Sequence, residues 1–272
     1  MNLFSKIFAA AVLPALILVS CTKDTPAPSK NPADGLTGKA RVADAWTGAG
    51  IKATLWQDTL FFTGYNKFYL TLTDSATGAP VQDAHIQVTT LMTMGNMMMS
   101  GPVEQPAYAG NLYAGAAVFT MAGGSMGQWS IRADVQDPAA SRAGAAVFRV
   151  DVANRAYNPV ILTQGTDNRN YVITVLQPLK PQMGMNDLEV LVSREADSMQ
   201  YVPVDDVQMQ VTPEMPSMGG MTTPNNENPV SVGNGHYKGK INLNMTGDWR
   251  LDFKIMQGGS TLIDNAYTDF IF

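Results

Sequence analysis

Residues Asn66-Lys67-Phe68-Tyr69-Leu70-Thr71-Leu72-Thr73 decide the fold class. Phe68, Leu70 and Leu72 fall on one side of an extended chain, and Tyr69, Thr71 and Thr73 on the other. A period of two is what a half-buried strand requires. Aromatic and β-branched residues, which suit a pleated surface, fill the run. Asp74-Ser75-Ala76-Thr77-Gly78-Ala79-Pro80 then supplies turn chemistry. Beyond it Ile86 and Val88 alternate, and Tyr113–Met121, Trp129–Val135 and Ala145–Val152 continue the series. After the leader, no stretch of useful length has the 3.6-residue period of a helix.

Outward from this strand the chain repeats itself at an offset of 120 residues. Asn66-Lys67-Phe68 falls on Asn186-Asp187-Leu188, Gln57 on Gln177, Gly64 on Gly184, and Gly127-Gln128-Trp129 on Gly247-Asp248-Trp249. With small loop shifts, Asp83–Thr89 falls on Asp206–Thr212, Gly110–Gly115 on Gly233–Gly239, and Met121 on Met245. Shifts confined to loops are what one fold used twice should show. Seven or so short strands in roughly 110 residues describe an immunoglobulin-like β-sandwich. The expectation is an all-β chain of two tandem sandwiches, residues 39–157 and 158–272, with Trp129 and Trp249 packed between sheets.

The N-terminus reads differently. Lys6 precedes the apolar run Ile7–Val19, which contains Pro14 and is short for a membrane span. It ends in Leu18-Val19-Ser20-Cys21, which resembles a bacterial lipobox. That resemblance implies removal of residues 1–20, acylation of Cys21 and anchoring in the cell envelope, at the outer membrane. Buried acyl methylenes contribute about 0.8 kcal/mol each, so a multiply acylated terminus holds a membrane. Residues 21–38, with Pro26, Pro28 and Pro32, read as an extended tether.

Composition narrows the function. The 272-residue chain carries 18 Lys and Arg against 23 Asp and Glu, so nucleic acid is not an expected partner. Two histidines and one cysteine, the cysteine committed to lipid, leave little for a nucleophile and its base, and no enzyme is expected. Gly123-Gly124-Ser125-Met126-Gly127 matches a nucleophile elbow in letters. That motif needs a strand-turn-helix, whereas this stretch precedes the Trp129 strand. Asp205 and Asp206 are adjacent and point apart in an extended chain. His85, in a strand, reads as structural.

The outlier is methionine, 17 in all. Met92, Met94, Met97, Met98 and Met99 cluster in the first repeat, and Met215, Met218 and Met221 in the second. Each cluster follows a Pro-Val turn, at Pro80-Val81 or Pro203-Val204, and precedes a Gly-x-Tyr-x-Gly-like strand and a Gly-x-Trp strand. This order resembles the YtkA-like/FixH-like domain family over most of both repeats. The resemblance implies small extracytoplasmic β-sandwiches, several of whose relatives are linked to copper handling or oxidase assembly.

Thioethers are soft neutral donors that select Cu(I) over hard ions and have no proton to lose near neutrality. In an extended first loop Met92 and Met94 share a face, as do Met97 and Met99, while Met98 points away. In the second loop the three-residue spacing beside Pro213, Pro216 and Pro224 suits polyproline II, with Gly219-Gly220 available to fold the segment back. His236 offers an imidazole to the second loop only, since Leu112 stands at its place in the first. The candidate Cu(I) ligands are therefore Met92, Met94, Met97, Met99, Met215, Met218, Met221 and His236. The competing readings are a methionine-rich surface for an envelope protein partner, and plain packing by a side chain that fills irregular apolar gaps.

Overall fold

The computed structural model describes residues 35–272 apart from Met126 and Ser198. The signal sequence, the acylation of Cys21 and most of the tether lie outside the described residues. The regular structure of the described residues is strand, with one turn of 3-10 helix at Pro216–Met218.

The first repeat contains β1 (Ala40–Trp46), β2 (Ile51–Gln57), β3 (Phe61–Phe62), β4 (Gly64–Asp74), β5 (His85–Met94), β6 (Met97–Met99), β7 (Val103–Ala109), β8 (Leu112–Phe119), β9 (Gln128–Asp137), β10 (Arg142–Val150) and β11 (Val152–Ala153). Its two sheets have the orders β1-β2-β4-β8-β7 and β10-β9-β5-β6, and β3 pairs in parallel with β11. Alternate residues of both sheets enclose one core that includes Phe68, Leu70, Leu72, Val88, Phe119, Trp129 and Ile131. The strand read from the sequence thus buries the face it was expected to bury.

The second repeat follows the same plan. Its strands are β12 (Val160–Gln164), β13 (Asn170–Gln177), β14 (Gly184–Asp197), β15 (Gln200–Pro203), β16 (Gln208–Met215), β17 (Met221–Thr222), β18 (Glu227–Gly233), β19 (His236–Leu243), β20 (Asp248–Gln257) and β21 (Ser260–Ile271). The sheets run β12-β13-β14-β19-β18 and β17-β16-β20-β21, around a core holding Trp249, Tyr237, Val190 and Phe253. Burying an indole removes 150–250 Å² from water, roughly 4–6 kcal/mol each for Trp129 and Trp249 as an upper bound.

The residues that reveal the repeat are those that lock it. Asn66 Oδ1 accepts from Phe62 N, and its Nδ2 donates to the carbonyls of Phe62 and Gly64. Asn186 does the same with Gln182 and Gly184. The hydroxyl of Tyr113 donates to Val81 O and accepts from Ala84 N, and that of Tyr237 donates to Val204 O and accepts from Val207 N. The indole nitrogens of Trp129 and Trp249 donate to the carbonyls of Met121 and Met245.

The repeats meet through the outer faces of their larger sheets. Val118 and Tyr65 of the first pack with Val160, Val172, Leu176, Leu191 and Tyr201 of the second. Ser100 Oγ of the first repeat donates to Met199 O of the second at 2.6 Å. Gly64 is required here, because a Cβ at its φ of 110° would lie 2.7 Å from Pro159.

Candidate functional site: the methionine hairpins

In the first repeat β5 turns through Gly95-Asn96 into β6, with Gly95 at a φ of 58° that glycine adopts without strain. The register pairs Met92 with Met99, Thr93 with Met98, and Met94 with Met97. Directly opposed residues of an antiparallel pair hold their Cβ atoms about 4.5–5.5 Å apart. Met92, Met94, Met97 and Met99 therefore form two cross-strand pairs on one face, with Met98 on the other, as the spacing implied. Burial is graded along this face. Met92 is fully buried, Met94 and Met99 are half-buried against the core, and Met97 is 65% exposed.

The second repeat uses a different turn for the same end. Met215, at the position of Met92, is buried and pairs with Met221. The polyproline II expectation is overturned between them, because Pro216–Met218 forms a 3-10 turn. Gly219 and Gly220, at φ of 70° and 79°, then reverse the chain, and their amides donate to Pro216 O and Met215 O. A proline at the first turn presets φ, and two left-handed residues end it, so the chain closes instead of extending. Met218 is left 51% exposed and Met221 half-buried against the core.

The Gly-x-Trp strand explains why both loops have this shape. A Cβ at Gly127 would lie 2.5 Å from Met94 Cγ, 2.7 Å from Thr93 O and 2.9 Å from Met92 Cε. One at Gly247 would lie 2.8 Å from Met215 Cε. Glycine is thus the space into which the buried methionine packs, and tryptophan forms the wall beside it. In the second repeat Asp248 also fastens the loop, accepting from both the amide and the hydroxyl of Ser217. Those bonds hold its carboxyl below the usual range, the Ser217 hydroxyl foremost. Met121 and Met245, expected in the core, are half-buried against it.

His236 does not join the methionines. Tyr237 beside it is bonded to Val204 and Val207, before β16 begins, whereas Met215 ends that strand. Eight residues of strand span about 25 Å. His236 Nε2 instead lies 2.6 Å from Glu104 Oε1 of the first repeat, and Nδ1 lies 3.0 Å from Glu189 Oε1. Sequence reasoning missed both carboxylates, since Glu104 lies 132 residues away and no local pattern links them. The Glu104 hydrogen bond, opposed by burial and aided by Glu189, raises the imidazole pKa above its ordinary value.

His85, the other histidine, is exposed at the start of β5. Ser125 is exposed in a turn closed by Gly127 N on Gly124 O, and a strand rather than a helix follows. Among the described residues, no three His, Cys, Asp or Glu side chains converge where a metal ion could sit. No helix among the described residues is long and apolar enough to cross a membrane.

No curated protein matches the chain. Among solved structures it resembles domains 5–6 of the S-layer protein SbsC, at 13% identity and a TM-score of 0.25, over 84% of this chain and 98% of that one. The YtkA-like family matches residues 49–134 and 166–254, the segments that carry the two methionine hairpins and the two Gly-x-Trp strands. By those two matches, which together span more than half its length, the chain belongs to the YtkA-like family.

Proposed function

We propose that the protein is a non-enzymatic, lipid-anchored envelope protein that binds Cu(I) through its methionine hairpins, in a metal-handling or chaperone role. The observation that carries this reading is the face shared by Met94, Met97 and Met99, in which cross-strand pairing brings thioethers together between the core and solvent. Three sulfur ligands with a half-exposed approach suit an ion that must be taken up and passed on. Met92 and Met215 are enclosed by the cores and serve packing, so the ligands are Met94, Met97 and Met99 in one repeat and Met218 and Met221 in the other. The donor set fits the ion, because thioethers are soft, uncharged and indifferent to pH near neutrality. Acylation at Cys21 would place both repeats at the outer membrane on a tether.

The competing reading, a hydrophobic contact surface for an envelope partner, draws on the exposure of Met97, Met98 and Met218. Cu(I) competition against a chromogenic chelator separates the two, using the full chain carrying Cys21→Ser. Converting Met94, Met97, Met99, Met218 and Met221 to Leu keeps apolar bulk and removes only sulfur. The copper reading expects wild-type binding and a tenfold or greater loss in the Leu variant, with the far-ultraviolet circular dichroism unchanged. Absent binding in the wild type, or equal binding in both, overturns it and leaves the contact surface.

A further inference from the structure

His236 occupies an unusual position for an imidazole. Both of its ring nitrogens face carboxylate oxygens, Glu104 from β7 of the first repeat and Glu189 from β14 of the second. A neutral imidazole has one N–H and one lone pair, so it can satisfy only one of them; the imidazolium, with two N–H groups, satisfies both. We propose that Glu104, His236 and Glu189 form a proton-operated latch between the repeats, closed while the imidazole carries both protons and released when it loses one.

The surroundings bear on this from every packed element. From β4, the Tyr65 hydroxyl donates to the second oxygen of Glu104 at 2.8 Å, and the Tyr65 ring stands edge-on to the imidazole at 6.1 Å. Lys67, also on β4, adds positive field at Glu104. From β19, Lys238 Nζ lies 3.7 Å from the Glu189 oxygen that faces His236. Asp58 and Arg155 line the same crevice, but Asp58 is taken by Lys39 and Tyr69, and Arg155 by Thr63. Three of the latch's four oxygens thus meet a donor among the described residues, and Lys238 stays beside Glu189 when the imidazole loses its proton, whereas Glu104 keeps only the Tyr65 hydroxyl as a direct donor. Clefts of about 500 and 400 Å³ open on the two sides of His236, so the junction has room to move. The apolar contact of Val118 with Val160, Val172, Leu176 and Leu191 keeps the repeats together when the polar latch lets go.

The direction of the pH effect follows from the signs of the shifts. The folded His236 pKa is raised above 6.5, so its contribution is complete below that pH and is lost as pH rises through the raised value. Burial opposes ionisation of Glu104, yet its bonds from His236 and Tyr65 hold its pKa below the ordinary 4.5. Its contribution is present above 4.5 and lost as pH falls through the depressed value. The latch is therefore tightest from about pH 4.5 to 6.5 and opens on the alkaline side.

The test uses the full chain with Cys21→Ser and spin labels at Val147→Cys and Lys254→Cys, exposed positions on the outer faces of the two repeats. The expected result is a narrow inter-label distance distribution at pH 5.5 that broadens at least twofold by pH 9. His236→Gln should give the broad distribution at both pH values. If that variant loses its circular dichroism spectrum, Glu104→Gln is read in the same way. A wild-type distribution unchanged between pH 5.5 and 9, or an intact transition in a folded latch variant, overturns the proposal.

Discussion

Replacing Asn186 by aspartate changes one atom and tests the account of the repeat most directly. Asn186 is 8% exposed and makes three bonds: Oδ1 accepts from Gln182 N at 2.9 Å, and Nδ2 donates to Gln182 O at 2.7 Å and Gly184 O at 2.9 Å. Aspartate keeps the first bond. Its second oxygen, however, faces two carbonyl oxygens with no proton between them. Two lost bonds at about 1 kcal/mol each, plus the desolvation of two stranded carbonyls and a carboxylate, come to about 3–5 kcal/mol. The folded state then favours the protonated acid, which recovers one donor, so the pKa of this carboxyl rises above its unfolded value of about 3.9. A group whose folded pKa is raised gains stability as pH falls through it. Urea unfolding, followed by tryptophan fluorescence at pH 7, 5.5 and 4, should show the gap between Asn186→Asp and wild type narrowing toward acid. Asn186→Ala, which has no proton to regain, should keep a constant gap. A deficit below about 1 kcal/mol at pH 7, or an Asp gap that does not narrow, would refute the claim that this side chain is a buried clamp.

Met92→Ala and Met215→Ala should each destabilise by about 2–5 kcal/mol, because they empty volume inside closed cores, whereas Leu at either place should cost less than about 1.5 kcal/mol. Thermal unfolding of the four single variants checks the contrast. Gly127→Ala should destabilise by about 1–3 kcal/mol, since the new methyl meets the Thr93 carbonyl, which cannot swing aside, as well as two methionines. Calorimetry against wild type reads it, and a neutral result would mean that the β5–β6 hairpin does not pack on Gly127.

The legible part of the fold was carried by period-2 runs and by side chains with a repeated structural duty. Phe68, Leu70 and Leu72 show their burial by alternation, and Trp129 and Trp249, Tyr113 and Tyr237, Asn66 and Asn186 show theirs by recurring. In the methionine loops the parity of Met92, Met94, Met97, Met99 and Met98 was also legible, because a two-residue turn preserves register. Burial of Met92 was available in the sequence too, as the continuation of Val88 and Thr90 on the inward face of β5. The second loop was not legible, because proline at a fixed φ begins a 3-10 turn as readily as a polyproline helix, and the following glycines decide between them. The carboxylate partners of His236 were illegible for another reason. Their approach depends on how two sandwiches pack, which no short-range pattern records.

The differences between the repeats are as informative as their likeness. On the outer face of the first repeat, Asp44 accepts from Thr54 Oγ1 at 2.7 Å and lies 3.7 Å from Lys52 Nζ, while Trp56 Nε1 donates to Thr71 Oγ1 at 3.0 Å. Strand register places Val160, Thr174, Val172, Leu176 and Leu191 at the corresponding positions of the second repeat. A charged, self-satisfied face has thus been exchanged for an apolar one at the junction. Thr174 marks the exchange. Its hydroxyl, fully buried, finds no partner among the described residues, because valine stands where Asp44 serves Thr54. The docking partner differs in the opposite sense, since Tyr65 and Val118 of the first repeat correspond to Met185 and Asn242 of the second. Stacking a further sandwich on the first repeat would bury the Asp44–Lys52 pair and separate it from water, at a desolvation cost its attraction does not repay. Two repeats of one fold therefore join in a single order. The receiving face is apolar only in the second, and the tyrosine that stands against His236 comes only from the first, where the second has Met185.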